Sequence, residues 1–129
     1  MTREKMVKPM RTVHATALED RESCLASVAH LLRIALGNTG QSRRVADFLL
    51  AWHNAQENGG WDPTDLWNVD VAIADDILIA LHLLRRENRY PGDLGFQKEI
   101  DQIWERWRAG KHNRESESSD SDANESERR

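Results

Sequence analysis

Apolar and polar residues alternate along this chain at the spacing of amphipathic helices, and they do so first between Thr16 and Gly37. One apolar stripe runs through this segment and consists of Leu18, Cys24, Leu25, Val28, Leu31, Leu32 and Ala35. Thr16 followed by Glu19 fits a capping box, and Gly37 can adopt the left-handed conformation that closes a helix. The pattern therefore predicts a first helix that begins near Thr16 and ends at Gly37.

A second helix is predicted from Gln41 or Ser42 to about Gln56, before the glycine pair at residues 59–60. Its apolar residues recur at helical spacing and can pack on a core, whereas its polar residues fall largely on the other side. The apolar set is Val45, Phe48, Leu49 and Trp52, and the polar set is Arg43, Arg44, Asp47 and His53. Because the turn at residues 38–40 is short, we expect the first two helices to be neighbours.

A short helix and a long one are predicted next. Asp62 before Pro63 places an N-cap and a first-turn proline together, and Asp65 adds a favourable negative charge, so a short helix should reach Trp67. Residues 70–87 are apolar on several sides, which predicts the central helix of the domain. Its apolar positions are Val71, Ala72, Ile73, Ala74, Ile77, Leu78, Ile79, Ala80, Leu81, Leu83 and Leu84.

The last helix is predicted after the turn residues from Tyr90 to Gly95. Its apolar positions are Phe96, Ile100, Ile103, Trp104 and Trp107. Beyond Arg108 only Ala109 and Ala123 are apolar, so that segment cannot bury enough surface to offset the entropy of ordering. We therefore predict a single all-α domain over residues 16–108, a small bundle of four main helices plus one short helix, flanked by a disordered basic arm at residues 1–15 and a disordered Ser/acidic tail at residues 109–129.

Composition and charge narrow the classes of function. The chain has 129 residues, 39% hydrophobic and 31% charged, which suits one globular domain with solvated extensions. Residues 1–15 carry +3 and residues 109–129 carry −2, which leaves −5 for the middle of a chain whose net charge is −4. An acidic domain repels phosphate backbones, so nucleic-acid binding by the whole surface is disfavoured.

Cysteine content and hydropathy bear on location. Cys24 is the only cysteine, which excludes an internal disulfide and a cysteine zinc site and fits a reducing compartment. No apolar run at the N-terminus has signal-peptide length, and the longest uncharged segment, residues 23–32, is far shorter than a membrane span. We expect a soluble cytoplasmic protein that does not bind a membrane.

The N-terminus of the second helix carries the sharpest candidate chemistry. Gln41, Ser42, Arg43 and Arg44 stand where free backbone amides and the helix dipole favour an anion. The helix, short turn and helix around them also resemble a DNA-binding motif, in which Gln41, Ser42 and Arg44 would read base edges. A simpler interpretation is an internal ion pair between Arg43 and Asp47, four residues apart.

Acidic residues offer an alternative of another class. The carboxylates Asp62, Asp65, Asp70, Asp75 and Asp76 could converge on a divalent metal in a metal-dependent hydrolase, although helix capping explains most of them. His53 and Glu57, one helical turn apart, could form an acid and base pair or a surface ion pair. The chain lacks a nucleotide-binding loop and a nucleophile motif. We expect no enzymatic activity, no cofactor and no bound metal.

Tryptophan is unusually frequent, with five residues in a small chain. We expect Trp52, Trp104 and Trp67 to belong to the core. Trp61 lies in a turn between Gly60 and Asp62, where it is either an exposed anchor for a partner or a further core residue. His53 and Trp61 therefore join the four residues of the helix N-terminus as candidate binding residues.

Three stretches carry a resemblance to a known family: GNTGQSRRVADFLLAWHNA, GGWDPTDLWNVDVAIADD and RYPGDLGF. Together they resemble a small proteobacterial family of unknown function found on integrative and conjugative elements and plasmids, over residues 31–108. The resemblance implies an accessory protein of a mobile element and transfers no catalytic residue. We therefore expect a non-enzymatic protein that binds another protein, acting against host defence or in a conjugation complex, with a DNA-binding regulator and a metal-dependent hydrolase as alternatives.

Overall fold

The computed structural model describes residues 20–110, which form α-helices and short turns of 3-10 and π helix. The α-helices are α1 (Arg21–Ala35), α2 (Gly40–Asn58), α3 (Val71–Glu87) and α4 (Gln97–Trp104), with 3-10 turns at Pro63–Asn68 and Pro91–Leu94 and a π turn at Glu105–Ala109. No strand occurs within residues 20–110, so the predicted all-α fold class is confirmed. The predicted arm at residues 1–15 and most of the predicted tail lie outside the described residues.

The first helix begins later than its sequence pattern predicts. Asp20 has extended backbone angles, φ −107° and ψ 113°, and its side chain accepts a hydrogen bond from the Glu22 amide. An aspartate that caps in this way marks the start of a helix, so a continuous helix from Thr16 is wrong. The proposed capping partner Glu19 lies outside the described residues.

The turn between α1 and α2 depends on a glycine for a reason that the sequence did not reveal. Gly37 does not adopt the left-handed conformation, and α1 ends instead at Leu36, with φ −83°. A Cβ atom on Gly37 would lie 2.6 Å from Ser42 Oγ and 3.2 Å from the Ile34 carbonyl oxygen. Gly37 is therefore required by the close approach of α2 and not by its backbone angles.

Helix α1 contacts each of the other three α-helices, whereas α2, which packs against α1 and α4, contributes the largest set of buried apolar residues to the core. The buried apolar residues of α2 are Val45, Ala46, Phe48, Leu49, Leu50 and Trp52. Helix α3 packs mainly on α1, and its Val71 and Leu78 are 61% and 46% exposed. The prediction that residues 70–87 form the central helix is therefore wrong, because α3 has more apolar residues than the side covered by α1 can bury.

Helices α1 and α3 run antiparallel and are joined by charged pairs at both ends. Arg21 Nε lies 2.5 Å from Glu87 Oε2, which connects the start of α1 to the end of α3. His30 Nδ1 lies 2.5 Å from Asp76 Oδ2 near the opposite end. These two contacts fix which side of α3 faces α1.

The end of the bundle closes against the last turn of α1. Trp107 Nε1 donates to the Ala35 carbonyl oxygen at 2.7 Å, and Arg106 Nε donates to the Gly37 carbonyl oxygen at 2.6 Å. These donors satisfy carbonyl groups that a helix end leaves without intrahelical partners. Helical backbone continues to Gly110, where the described residues end, and the predicted domain end at Arg108 stays a prediction. None of the helices in residues 20–110 combines the length and apolar character needed to cross a membrane.

Candidate functional site

The predicted anion site at the start of α2 is largely occupied by the fold itself. Thr39 caps the helix: its Oγ1 accepts from the Ser42 amide at 3.0 Å and lies 3.0 Å from Ser42 Oγ. Ser42 is only 4% exposed. Its hydroxyl therefore serves the helix cap and the contact with Gly37, and it does not face solvent as a reader of DNA bases would.

Gln41 connects α2 to α3. Its Oε1 accepts from the Asp70 amide at 2.5 Å, and its Nε2 donates to Asp70 Oδ2 at 3.4 Å. Asp70 occupies the N-cap position of α3 but makes no capping hydrogen bond with its own side chain. Asp70 therefore stands at the predicted start of α3, but its carboxylate does not cap the helix. The side chain of Gln41 binds that carboxylate and the Asp70 amide instead.

The two arginines of this cluster differ. Arg44 Nε lies 3.6 Å from Asp65 Oδ1, at ion-pair distance but beyond a hydrogen bond. Burial raises the pKa of the Asp65 carboxyl above its ordinary value, although the Arg44 charge opposes this. Arg43 is exposed and pairs with no described side chain. The predicted pair with Asp47 is wrong, since Asp47 Oδ1 accepts from Arg108 Nη2 at 2.8 Å.

The carboxylates that suggested a metal site have separate structural roles. Asp62 caps the first 3-10 turn and accepts from the amide and the hydroxyl of Thr64, and the backbone hydrogen bond is the main cause of its lowered pKa. Asp76 pairs with His30. Within residues 20–110, no three His, Cys, Asp or Glu side chains lie where they could hold one metal ion. The geometry gives the hydrolase alternative no support.

Trp61 takes one of the two positions that its sequence context allowed, packed on the core, whereas Trp67 departs from its expected core position. Trp61 is half-buried, and its ring meets Phe48 edge-on at a centroid distance of 5.0 Å. Trp67, which we expected in the core, is 81% exposed. The interpretation of Trp61 as an exposed anchor is therefore wrong, and Trp67 is the tryptophan that solvent or a partner can reach.

Helix α2 is interrupted near its end, and this break shapes the candidate site. Asn54 has non-helical angles, φ −166° and ψ 88°, and its Oδ1 accepts from the Glu57 amide at 3.1 Å, as an N-cap does. Asn58 Nδ2 donates back across the break to the Leu50 carbonyl oxygen at 3.1 Å. Arg108 holds both sides, because it binds Asp47 before the break and the Asn58 carbonyl oxygen after it.

Two adjacent hollows lie beside this break, and Trp52 and Tyr90 line both of them. One has a volume of about 580 Å³ and the other of about 380 Å³. The first is lined by Ala51, Trp52, His53, Asn54, Ala55, Gln56 and Tyr90, and the second by Trp52, Leu84, Asn88, Arg89 and Tyr90. We name these two hollows together the Tyr90 groove.

The fold holds Tyr90 at the edge of the groove while leaving its side chain 59% exposed. Its amide donates to Asp93 Oδ2 at 3.2 Å, and its carbonyl oxygen accepts from the Asp93 amide at 2.9 Å. The following residue, Pro91, is buried. The backbone of Tyr90 is thereby anchored on both sides, so a partner would meet an aromatic ring whose attachment point is already fixed.

Trp52 forms the floor of the groove and ties it to the end of α3. It is 9% exposed, and its Nε1 donates to the Arg89 carbonyl oxygen at 2.9 Å. Asn88 closes α3 in the left-handed conformation, with φ 55°, and directs the chain toward Arg89 and Tyr90. Trp52, the floor of the groove, belongs to α2, whereas Tyr90, at its exposed edge, follows the end of α3.

His53 lines the first hollow of the groove, and one of its ring nitrogens is buried. This atom, Nδ1, is shielded from solvent and has no hydrogen-bond partner among residues 20–110. A buried polar atom without a partner costs free energy, which a ligand could recover only if the His53 ring turned toward the groove. Of the six predicted binding residues, only His53 lies in the groove, whereas Gln41 to Arg44 lie at the opposite end of α2 and Trp61 packs on Phe48.

Sequence reasoning did not identify Tyr90, Arg89 or Arg108 as functional residues. Tyr90 was predicted only to be a turn residue before Pro91, and Arg89 only to follow the basic end of the helix predicted at residues 70–87. Their proximity to the α2 break arises from tertiary packing, for which a single sequence gives no spacing rule. The one local signal was an aromatic residue in a Pro- and Gly-rich turn, which is a common setting for a binding residue.

Comparison with known proteins gives a family and no further relative. A family model described as a family of unknown function, DUF7673, matches residues 25–108. No curated protein and no solved structure matches the chain. The match spans nearly all of the helical bundle, including both walls of the Tyr90 groove.

Proposed function

The chain belongs to the DUF7673 family of unknown function, and we propose that it is a protein-binding module whose partner docks in the Tyr90 groove. The observation that carries this proposal is the position of Tyr90, exposed on a fixed backbone beside a buried Trp52. The proposal gives the domain one recognition surface formed by the α2 break and the end of α3.

The residue types in the groove favour a protein as the ligand. Tyrosine, tryptophan and arginine are enriched among the residues that contribute most to binding energy at protein interfaces. The groove combines Trp52, Arg89 and Tyr90 within one continuous hollow. The exposed Tyr90 ring would be covered by a partner, and Trp52 supplies the packed base against which a partner side chain can rest.

His53 adds a polar element to this recognition. Its Nδ1 is buried and lacks a partner among the described residues, so a turn of the ring toward the groove would let a donor or acceptor of the incoming chain satisfy it. A partner that offers no such group would leave that atom buried and unpaired. His53 would therefore discriminate between partners, while Tyr90 would supply most of the contact area.

The polar residues at the start of α2 favour binding without catalysis. The side chains that suggested other chemistry, Gln41, Ser42 and Arg44, are engaged in capping or in pairing within the fold. The acidic side chains Asp65 and Asp70 lie beside them, which disfavours a nucleic-acid phosphate at the start of α2. These contacts support a proposal in which the domain holds a partner and performs no reaction on it.

The finer biological assignment rests on the resemblance in the three sequence stretches. It supports a cytoplasmic accessory protein of a proteobacterial mobile element, acting against a host-defence protein or within a conjugation complex. Both settings require recognition of another protein, which is the activity proposed for the groove.

Co-purification with matched variants tests the proposal. The tagged full chain, the Tyr90→Ala variant and the His53→Ala variant would be expressed in the source organism, and recovered proteins would be quantified by mass spectrometry. Lys98→Ala serves as the control, because Lys98 is exposed on α4, away from the groove. Urea unfolding of each variant checks that the fold is retained.

We expect one protein that is retained by the wild type and by Lys98→Ala and reduced at least about tenfold by Tyr90→Ala, since a central aromatic contact is worth about 2 kcal/mol or more. His53→Ala should reduce the same protein by a smaller factor. Equal recovery of every specific protein by the wild type and both groove variants would overturn the proposal.

A further inference from the structure

Helix α3 carries a second apolar surface, separate from the Tyr90 groove. Val71, Ala74, Leu78 and Leu81 recur at alternating spacings of three and four residues, which places them along one side of the helix, with Leu81 at the edge where this side packs against the core. Val71 and Leu78 are among the most exposed large hydrophobic residues of the described chain. None of the four lines the Tyr90 groove. We name this side the outward face of α3.

The ion pairs with α1 show that this face points away from the bundle. Asp76 and Glu87 contact His30 and Arg21 and therefore mark the side that faces α1. At 100° per residue, Asp76 and Glu87 lie about 160° and about 180° around the helix from Leu78. Leu78 is thus directed opposite to α1, and no described helix covers it.

Charge is distributed unevenly along the outward face. Asp70 and Asp75 flank its first half, whereas Arg85 lies in its second half; Arg89 follows the C-cap Asn88 and lines the Tyr90 groove. Arg85 and Arg89 are exposed, and Arg85 lies about 20° around the helix from Leu78. The face is therefore acidic at its start, apolar in its middle and basic at its end.

We propose that a second copy of this chain covers the outward face, with the two α3 helices packed antiparallel about a two-fold axis near Leu78. A two-fold axis brings the same surface of both copies together and reverses the direction of one helix relative to the other. The acidic start of each α3 then meets the basic end of the other, and the apolar residues meet in the middle. A parallel arrangement would instead place like charges side by side.

Trp67 extends the apolar surface beyond the helix. It lies three residues before the N-cap Asp70 and is 81% exposed. In the antiparallel pair, the segment before each α3 lies close to the basic C-terminal end of the other α3, where a tryptophan ring can contact an arginine side chain. Each copy would contribute this contact once, so the interface would contain it twice.

Sedimentation of the full chain over a wide range of concentration, with light scattering as a second readout, tests this proposal. The wild type should form a dimer of twice the 14.8 kDa chain mass. Leu78→Glu places two charges at the axis and should weaken dimerisation at least about tenfold. Val71→Ser is a milder variant at a position 61% exposed, where the fold tolerates a polar residue, and it should weaken the dimer as well.

Charge reversal tests the antiparallel arrangement itself. Arg85→Glu should weaken the dimer, and the double variant Asp75→Arg with Arg85→Glu should regain affinity because opposite charges face each other again. Lys98→Glu, on the exposed surface of α4, should leave the dimer unchanged.

Three results would overturn the second-copy proposal. The wild type could stay monomeric at every concentration, or it could form a dimer that Leu78→Glu does not weaken. The third is a monomeric wild type that binds a different protein, with Leu78→Glu abolishing that binding. Failure here leaves the Tyr90 groove untouched, because Tyr90→Ala is expected to remove the groove partner and to leave the dimer intact.

Discussion

Gly37 lies so close to Ser42 and Ile34 that one added methyl group must displace something. We expect Gly37→Ala to lower the free energy of unfolding by about 1–3 kcal/mol, the usual cost of overpacking. Gly40→Ala is the matched control, because a Cβ there would meet only Arg44 Nη1 at an ordinary 3.5 Å in a helical position. That control should stabilise the protein by up to about 1 kcal/mol.

Urea unfolding of both variants measures this difference, and a double-mutant cycle assigns its cause. Ser42→Ala removes the oxygen that the new methyl group would meet at 2.6 Å, so Gly37→Ala should cost less in the Ser42→Ala background. A Gly37→Ala variant as stable as the wild type would show that the α1–α2 turn does not need the close approach.

At the level of helices, Arg108 holds the two parts of α2 together. Its contacts with Asp47 at 2.8 Å and with the Asn58 carbonyl oxygen at 3.2 Å span the break at Asn54. We expect Arg108→Ala to destabilise the fold by about 1–3 kcal/mol, as for the loss of charge-assisted hydrogen bonds in a largely buried setting. Arg43→Ala removes an exposed arginine from the same helix and should change stability by less than about 0.5 kcal/mol.

Equilibrium unfolding gives the total effect of Arg108→Ala, and hydrogen exchange locates it. Amides of residues 55–58 should lose protection more than those of α1, because they follow the break. Uniform loss of protection over all helices would contradict a local role for Arg108.

The pair between Arg21 and Glu87 makes the α1–α3 contact depend on pH. The hydrogen bond from Arg21, with its charge, holds the pKa of Glu87 below its ordinary value. A carboxylate with a lower pKa in the folded state stabilises the fold above its unfolded pKa, and this stabilisation is lost as pH falls through the folded pKa. Glu87→Gln should therefore be less stable than the wild type near neutral pH, and the difference should shrink as pH falls below the ordinary pKa of glutamate, about 4.3, and vanish below the lowered pKa of Glu87 in the folded protein.

Urea unfolding at several pH values tests this prediction, with Glu57→Gln as the control. Glu57 is exposed and forms no ion pair with a described residue. The stability difference for Glu57→Gln should stay small throughout. A difference for Glu87→Gln that persists unchanged in acid would show that the pair with Arg21 is not its source.

For the whole molecule, local sequence signals predicted helix boundaries better than helix burial. Residues 70–87 were expected to be helical, and α3 spans Val71–Glu87, because Asp70 and Asn88 mark its ends within the sequence itself. Which helix lies at the centre depends on packing between distant segments. The sequence therefore indicated α3, which has more apolar residues, whereas α1 is the helix that contacts each of the other three.

In the candidate site, too, local sequence predicted some features, whereas others depend on packing between distant segments. His53 was identified from its position on the polar side of α2, and it does line the groove. Tyr90 lies 37 residues later in the chain than His53 and reaches the groove only because the end of α3 returns to Trp52. The exposed state of Trp67 and the packing of Trp61 on Phe48 likewise follow from tertiary contacts, so the expectation for Trp67 was wrong and that for Trp61 stayed open between core and surface.

Photo-crosslinking at position 90 tests the central claim, partner binding in the Tyr90 groove, most directly. A photoreactive phenylalanine analogue replaces Tyr90 in the full chain, and the same analogue at Lys98 on α4 is the control. Irradiation in the source organism should give one discrete protein adduct from position 90 and none of that mass from position 98. Absence of an adduct at position 90, or the same adducts from both positions, would contradict the assignment of this groove as the binding surface.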